Sequence, residues 1–325
     1  MKILVTGGCG FQGSNLCRTL LDRGDRVTIL STLSDRSREN IERFGLQDAT
    51  VVWGSITDTD CVEKTVRNHD LVFHLAANIH VDESIAEPRK YYTTNVLGSY
   101  NVVEYCRRER IPLIHVATCE VYGGCNLCDR PNGPAGCRQV IRESCPLKPQ
   151  SPYAASKAGA DLLAFAHRVT YGQQILILRP GNIFGPGQRY GTRGAVIPIF
   201  VGKALRGDPI TIHGDGKQGR DFVYIADLVR AYLFLADRFL RDEIHHPVVN
   251  IGTGHDTTIA TIARRVIELT GNRSAIVCGP DRPGEVQTFR LDGTILDDLG
   301  FEFAYRFEEG LAEYIEWFKQ HEHHG

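Results

Sequence analysis

Six near-continuous apolar runs mark the first 180 residues: Ile3–Thr6, Arg26–Leu30, Val51–Trp53, Leu71–Leu75, Leu113–Ala117 and Ile175–Arg179. They do not alternate apolar with polar, as expected of strands in a parallel sheet whose two faces are both covered. Helical patterning fills the gaps at about 11–24, 58–67, 84–110 and 151–172. Strand and helix in repeated alternation predict an α/β chain with a doubly wound parallel sheet. Beyond residue 180 glycine and proline become frequent (RPGNIFGPGQRYGTRG) and the elements shorten. The expected organisation is a domain over 1–180 and a smaller α/β lobe over 181–325, interleaved with the first. No Pro-rich or charged linker separates them.

The first strand runs directly into Gly7-Gly8-Cys9-Gly10-Phe11-Gln12-Gly13, and a helix follows. The spacing G-x-x-G-x-x-G at Gly7, Gly10 and Gly13 suits a dinucleotide. The first glycine allows the tight turn, the second lets backbone approach a pyrophosphate, and the third lets helix and sheet pack closely. The helix N-terminus then offers unpaired N–H groups to the anion. Three glycines alone say little; their place between a first strand and a first helix gives them meaning.

Tyr153 and Lys157 in SPYAASK form Y-x-x-x-K. On a helix these positions share a face, and an ammonium beside a phenol favours phenolate, lowering a pKa that is ordinarily about 10. Such a tyrosine takes a proton from an alcohol while hydride leaves the same carbon. A bare Y-x-x-x-K is common by chance; about 140 residues after a glycine loop it carries weight.

With these two motifs, HLAA (74–77), Asn95 in TTNVLGS, TCEVYG (118–123), RPGNIFGPGQ (179–188), GDGKQGRDFVY (214–224), NIGTG (250–254) and DRPGE (281–285), the chain resembles the extended short-chain dehydrogenase/reductase family over almost its whole length. Within that family it is similar to the nucleotide-sugar epimerases and dehydratases. The resemblance implies a Rossmann-type dinucleotide-binding domain and a nucleotide-sugar-binding lobe. It makes Tyr153 the acid/base, has Lys157 orient Tyr153 and the nicotinamide ribose, and has Thr118 hydrogen-bond the reacting hydroxyl. It implies coenzyme contacts from Gly7, Gly10, Phe11, Gln12, Gly13, Ser31, Ser55, Ile56, Leu75, Ala76, Ala77 and Asn95. Substrate contacts are implied for His80, Asn182, Gln188, Arg220, Asn250, Arg282 and Glu285, with Asn182, Arg220 and Arg282 on the diphosphate. A guanidinium fork matches a phosphate in two places, which agrees for the arginines.

Thr118-Cys119-Glu120 closes a predicted strand at the edge where α/β sheets place ligands. Glu120 suits removal of a carbon-bound proton, a task that arises once a neighbouring carbon has become a ketone. The related 4,6-dehydratases usually carry Thr-Asp-Glu, their Asp protonating the departing 6-hydroxyl. Cys119 stands in that place, and a thiol of pKa about 8.5 is mostly protonated at neutral pH and can donate. Thr-Cys-Glu is similar to the hexosamine 5,6-dehydratases of nucleoside-antibiotic pathways, and HVDESI (80–85) to the 4,6-dehydratases. The expected function is dehydration of a nucleotide sugar (4,6 or 5,6) through a 4-keto intermediate, with the hydride recycled internally. The enzyme is then a lyase. The alternative is a 4-epimerase (an isomerase), which needs only Thr118, Tyr153 and Lys157, and the rival outside enzymology is a dinucleotide-sensing regulator.

Departures matter too. NAD-using relatives carry Asp where Ser31 stands and often where Ser55 stands. Without that charge a 2′-phosphate is not repelled, so both NAD and NADP are admitted, NAD ahead on the family's habit. The segment GGCNLCDRPNGPAGCRQVIRESC holds Cys125, Cys128, Cys137 and Cys145, a spacing able to hold zinc. A loop of thiols without metal is the preferred reading.

Composition narrows the partners. Lys and Arg number 37 and Asp and Glu 39, a formal net charge of −2. Such a balance gives no field to draw nucleic acid or an anionic membrane. No apolar stretch reaches membrane-spanning length. MKILVTGG is too weakly apolar for a secretory signal, so a cytoplasmic location is expected. The family resemblance also implies a homodimer built on the helices near 84–110 and 151–172.

Overall fold

The structure is a computed structural model and describes residues 1–124, 140–191, 194–280 and 288–322. The predicted strands are present as β1 (Lys2–Thr6), β2 (Arg26–Ser31), β3 (Thr50–Trp53), β4 (Leu71–His74), β5 (Leu113–Val116) and β6 (Ile175–Pro180). A further strand, Val248–Ile251, completes a seven-stranded sheet in the order Val248–Ile251, β6, β5, β4, β1, β2, β3. Neighbours from β6 to β3 run parallel. Every residue of β4, β5 and β6 is buried, as their unalternating sequences required. The seventh strand carries no sequence signal, because VVNI sits alone among polar and glycine-rich residues with no periodicity to announce it.

Helices α1 (Phe11–Asp22), α2 (Asp35–Arg43), α3 (Thr59–Val66), α4 (Val81–Ala86), α5 (Pro88–Tyr91), α6 (Ser99–Glu109) and α7 (Pro152–Tyr171) flank the sheet strands in sequence. The single helix expected over 84–110 is in fact four segments. Pro88 has no N–H and excludes Glu87 from helical geometry (φ −128°), so α4 stops and α5 begins. A π-helical stretch, Tyr92–Gly98, then precedes α6. Such widened turns gather at functional positions. Helix α7 is well specified locally. The Ser151 hydroxyl accepts from the Ala154 N–H at 3.0 Å, Pro152 occupies the first turn, and Gly172 closes the helix in the left-handed region (φ +61°).

The chain divides into two compact units: Met1–Val121, Pro149–Pro180 and Val229–Val249, and Tyr122–Lys148, Gly181–Leu228 and Asn250–Gly325. In the second unit, Asn182–Phe184 pairs with Phe222–Tyr224 and Ile210–His213 with Ile276–Gly279. Phe184 packs its ring against Phe222, Tyr224 and Phe307 at centroid distances of 5.3–6.2 Å. Asp221 is the polar hub there. Its carboxylate accepts from the N–H groups of Thr253, Gly254 and Leu291 and from the Thr253 hydroxyl at 2.8–3.2 Å. No helix among the described residues is long and apolar enough to cross a membrane.

Candidate active site

Strand β1 lies between β2 and β4, so the strand order turns at β1 and β4. Open α/β sheets place their ligand crevice beyond the carboxyl ends at such a point. There Thr6 stands opposite His74. Gly7 follows with φ +73°, and a Cβ on it would lie 2.8 Å from the Ala76 backbone. A Cβ on Gly13 would lie 2.7 Å from Gly8 Cα. Gly10 precedes α1 in an extended conformation and donates its N–H to the Gly7 carbonyl at 2.9 Å. The cradle is closed to any side chain and open along the backbone to the N-terminus of α1, which fits a pyrophosphate.

The remaining coenzyme candidates in this unit divide by what they hold. Phe11, Leu75, Ala76 and Ala77 are half-buried around the cradle. The Gln12 side chain accepts a hydrogen bond from Tyr232 Oη at 2.8 Å. Ser31, at the end of β2, hydrogen-bonds the Cys9 thiol, and Ser55 pairs with the Thr57 hydroxyl at 2.8 Å. Ile56 is buried in the space that a Cβ on Gly98 would need, 2.7 Å away.

Tyr153 and Lys157 lie one turn apart on α7. Burial pushes the Tyr153 phenol up, the Glu120 carboxylate adds to the rise, and a hydrogen bond with Thr118 opposes it. This corrects the expectation that the ammonium alone would bring the phenol down. Lys157 Nζ spends a hydrogen bond on the Val116 carbonyl at 2.7 Å. Burial lowers Lys157 itself to about 8, with the Asp161 carboxylate pulling the other way. Thr118, Glu120 and Cys119 come from the turn after β5. Thr118 and Glu120 are half-buried, whereas Cys119 is 1% exposed. Tyr91 meets the Tyr153 ring edge-on with centroids 6.5 Å apart, and His80 is half-buried at the start of α4.

Two of the expected asparagines hold other parts of the protein. Asn95, expected on the coenzyme, makes three side-chain hydrogen bonds within its own unit. Oδ1 accepts from the Asn78 N–H at 2.8 Å, and Nδ2 donates to the Asn78 carbonyl and Ser156 Oγ, both at 2.9 Å. Asn250 was expected on the substrate, but it is fully buried. Its Oδ1 accepts from Tyr122 Oη at 2.8 Å and its Nδ2 donates to the Ile141 carbonyl at 2.9 Å, pinning the 141–143 segment within the second unit.

In that unit Asn182 is half-buried, Gln188 donates to the Ile183 carbonyl at 2.7 Å, and Arg220 lies over the Phe289 ring at 5.6 Å. Arg282, Glu285, Cys125, Cys128 and Cys137 lie outside the described residues. Of the proposed zinc thiols only Cys145 is within them. Among the described residues no three His, Cys, Asp or Glu are grouped to hold a metal. Sequence reasoning missed His74, Ser99 and Ser156, as well as the buried Asp161–Arg179 pair. HLAA gave a partial signal, but its histidine was assigned no task.

A glycine cradle at the turning point of the sheet, in a chain that carries Tyr153 and Lys157 one turn apart on α7, marks the class of nicotinamide-dependent enzymes. Comparison places it more closely. The chain belongs to the NAD dependent epimerase/dehydratase family, whose model matches residues 3–252. It is 33% identical to a dTDP-glucose 4,6-dehydratase of Streptomyces niveus, over 98% of this chain and 93% of that protein. Its fold is similar to DesIV, the dTDP-glucose 4,6-dehydratase of Streptomyces venezuelae solved with NAD bound, at TM-score 0.86 and 31% identity over 99% and 98% of the two chains. It is equally similar to the UDP-glucose 4-epimerase of Thermotoga maritima solved with UDP-glucose, at TM-score 0.86 and 32% identity over 98% and 99%.

Proposed function

We propose that the protein is a nucleotide-sugar dehydratase acting through a 4-keto sugar. A nicotinamide coenzyme held at the glycine cradle supplies the hydride acceptor, and Lys157 and the backbone of Gly7–Gly13 hold it. The positive charge of an oxidised nicotinamide would offset the rise that burial gives the Tyr153 phenol, and Tyr153, ionised, would take the proton from the sugar 4-hydroxyl as that carbon loses hydride. The ketone acidifies carbon 5, and Glu120 removes that proton. Cys119 gives its thiol proton to the departing 6-hydroxyl, which leaves as water. Hydride returned to carbon 6 would complete a 4,6-dehydration with Glu120 giving its proton to carbon 5, and hydride returned to carbon 4 would complete a 5,6-dehydration with Tyr153 giving its proton to the 4-oxygen. Asn182, Arg220 and Arg282 serve the nucleotide-diphosphate, the arginines through its charge, and Gln188 and Glu285 serve other groups of the substrate.

One observation supports this reading most. Glu120 is half-buried and its charge reaches the Tyr153 phenol, adding to the rise that burial causes, so a carboxylate shares the acid/base site. A 4-epimerase has no use for that group, although similarity to epimerases of equal strength keeps that activity as the alternative. Incubation in heavy water with UDP-GlcNAc, UDP-glucose, dTDP-glucose, GDP-mannose and CDP-glucose in turn separates the two. Dehydration predicts loss of the mass of water, with solvent deuterium on carbon 5 of a 4,6-dehydration product and no hydrogen on carbon 5 of a 5,6-alkene. A product of unchanged mass, inverted at carbon 4, identifies the epimerase. Cys119→Ala is expected to form the 4-ketone and stall before water is lost; full turnover would return Cys119 to the core.

We also infer a homodimer. Tyr100 on α6 and Leu162, Phe165 and Val169 on α7 are 40–67% exposed. Contiguous apolar side chains on two neighbouring helices suit a second copy of this chain.

A further inference from the structure

Beneath the turning point of the sheet runs a chain of hydrogen bonds in which every donor can be assigned. Ser99 Oγ has one proton and gives it to the Asn95 carbonyl at 2.6 Å. Toward His74 Nε2, 2.8 Å away, it can only accept. Nε2 therefore carries the imidazole proton. The ring is fully buried next to Lys157, and both burial and that ammonium hold it at about 3, so it is neutral. Nδ1 is then bare and accepts from Thr6 Oγ1 at 2.7 Å. Thr6 Oγ1 in turn accepts from the Ala76 N–H at 3.3 Å.

The two ends of this chain lie where the chemistry does. Thr6 and Ala76 flank Gly7, the first residue of the coenzyme cradle. At the other end, Asn95 grips both backbone groups of Asn78 and reaches Ser156 Oγ. Ser156 Oγ donates to the Tyr153 carbonyl at 2.7 Å. Neither of the wider sheet's ladders supplies this link, because parallel pairing joins β1 to β4 but not to α7. Imidazole suits the central place since it offers an acceptor and a donor on opposite sides of one rigid ring.

We propose that His74, as a neutral ring protonated on Nε2, is a positioning residue that sets the coenzyme cradle against the catalytic helix through Thr6, Ser99, Asn95 and Ser156. It touches neither coenzyme nor sugar. It acts by holding the loop after β4 and the backbone of Tyr153 in one frame. The proposal rests on the dinucleotide reading of the cradle but not on which sugar reaction follows.

The test uses the full chain and reads three quantities. Ring-nitrogen NMR of histidine-labelled protein is expected to show His74 as the neutral Nε2–H tautomer from pH 5 to 8. A ring that titrates in that range, or one protonated on Nδ1, overturns the proposal. Ser99→Ala removes only a buried hydroxyl and Thr6→Val replaces one by a methyl. Each is expected to weaken NADH binding, followed by fluorescence without any sugar, by about two- to tenfold. Thr6→Ser keeps the hydroxyl and is expected to restore wild-type binding. With a sugar that turns over, Ser99→Ala lowers kcat and leaves the sugar's KM unchanged. Unchanged NADH affinity in both Ser99→Ala and Thr6→Val, or Thr6→Ser no better than Thr6→Val, refutes the link. Wild-type protein that binds NADH yet dehydrates no sugar would sink the dehydratase reading and leave His74's role standing.

Discussion

The Asp161–Arg179 pair offers the sharpest test of how this fold supports its chemistry. Asp161 is completely buried and Arg179 nearly so, with side chains 0% and 5% exposed. Two hydrogen bonds of 2.8 and 2.7 Å join the guanidinium and carboxylate in a fork. Asp161→Ala takes from the buried Arg179 guanidinium the carboxylate that it grips through two hydrogen bonds, and should cost about 3–5 kcal/mol. Replacing both groups by apolar ones of similar size (Asp161→Leu with Arg179→Met) removes the charges together. That double variant should be near neutral, or more stable than the single variant by at least the same few kcal/mol. Urea unfolding of coenzyme-free protein measures both, with an unchanged slope confirming that the folded states are comparable. Recovered stability should not bring recovered activity. Asp161 lies one turn beyond Lys157 on α7, and its negative charge keeps the ammonium from falling further below about 8. The double variant should therefore fold and turn over poorly at neutral pH. A single substitution costing under about 1 kcal/mol, or a double variant as unstable as the single, would refute the reasoning.

Other expectations follow from the same site. Lys157 is ordinarily 10.5 and is held at about 8, so the folded state binds fewer protons between those values. The stability its burial withholds below pH 8 is regained as pH rises toward 10.5, amounting to about 3 kcal/mol. Lys157→Met removes that dependence, and the difference between the two denaturation curves should grow only across that window; a difference flat with pH would count against it. Gly13→Ala places a methyl carbon 2.7 Å from Gly8 Cα, so NADH binding should be lost while the far-ultraviolet circular dichroism is kept. Val169→Glu puts a charge on an α7 position that is 67% exposed. It should halve the mass in solution by light scattering if this face joins two copies, and do nothing if it does not.

The contrast between Asn95 and Gly13 shows what similarity of motif carries. A third glycine lets helix and sheet approach, and the space at Gly13 has room for no Cβ. Asn95 stands out only through a matching motif. Its three hydrogen bonds go to Asn78 and Ser156, so it acts on the site by holding backbone. Tyr153 is a similar case. Spacing put an ammonium one turn away, but burial and the Glu120 carboxylate outweigh it at the phenol. Desolvation depends on everything packed around a group, which spacing along one helix does not contain.

By itself the sequence determined the local features. Unbroken apolar runs made parallel strands because both faces had to be covered. The glycine spacing made a backbone cradle because any Cβ would fill it. Ser151, Pro152 and Gly172 set the ends of α7 through capping and backbone preference. Tertiary structure alone decided which strands lie side by side, and so where the sheet turns and where Val248–Ile251 returns to it. It brought His74, Ser99 and Asn95 into one chain with Thr6 and Ser156, and it buried Asp161 against Arg179. Those pairings join residues far apart in sequence, and a hydrogen bond depends on distance and direction in space, which no periodicity along the chain encodes.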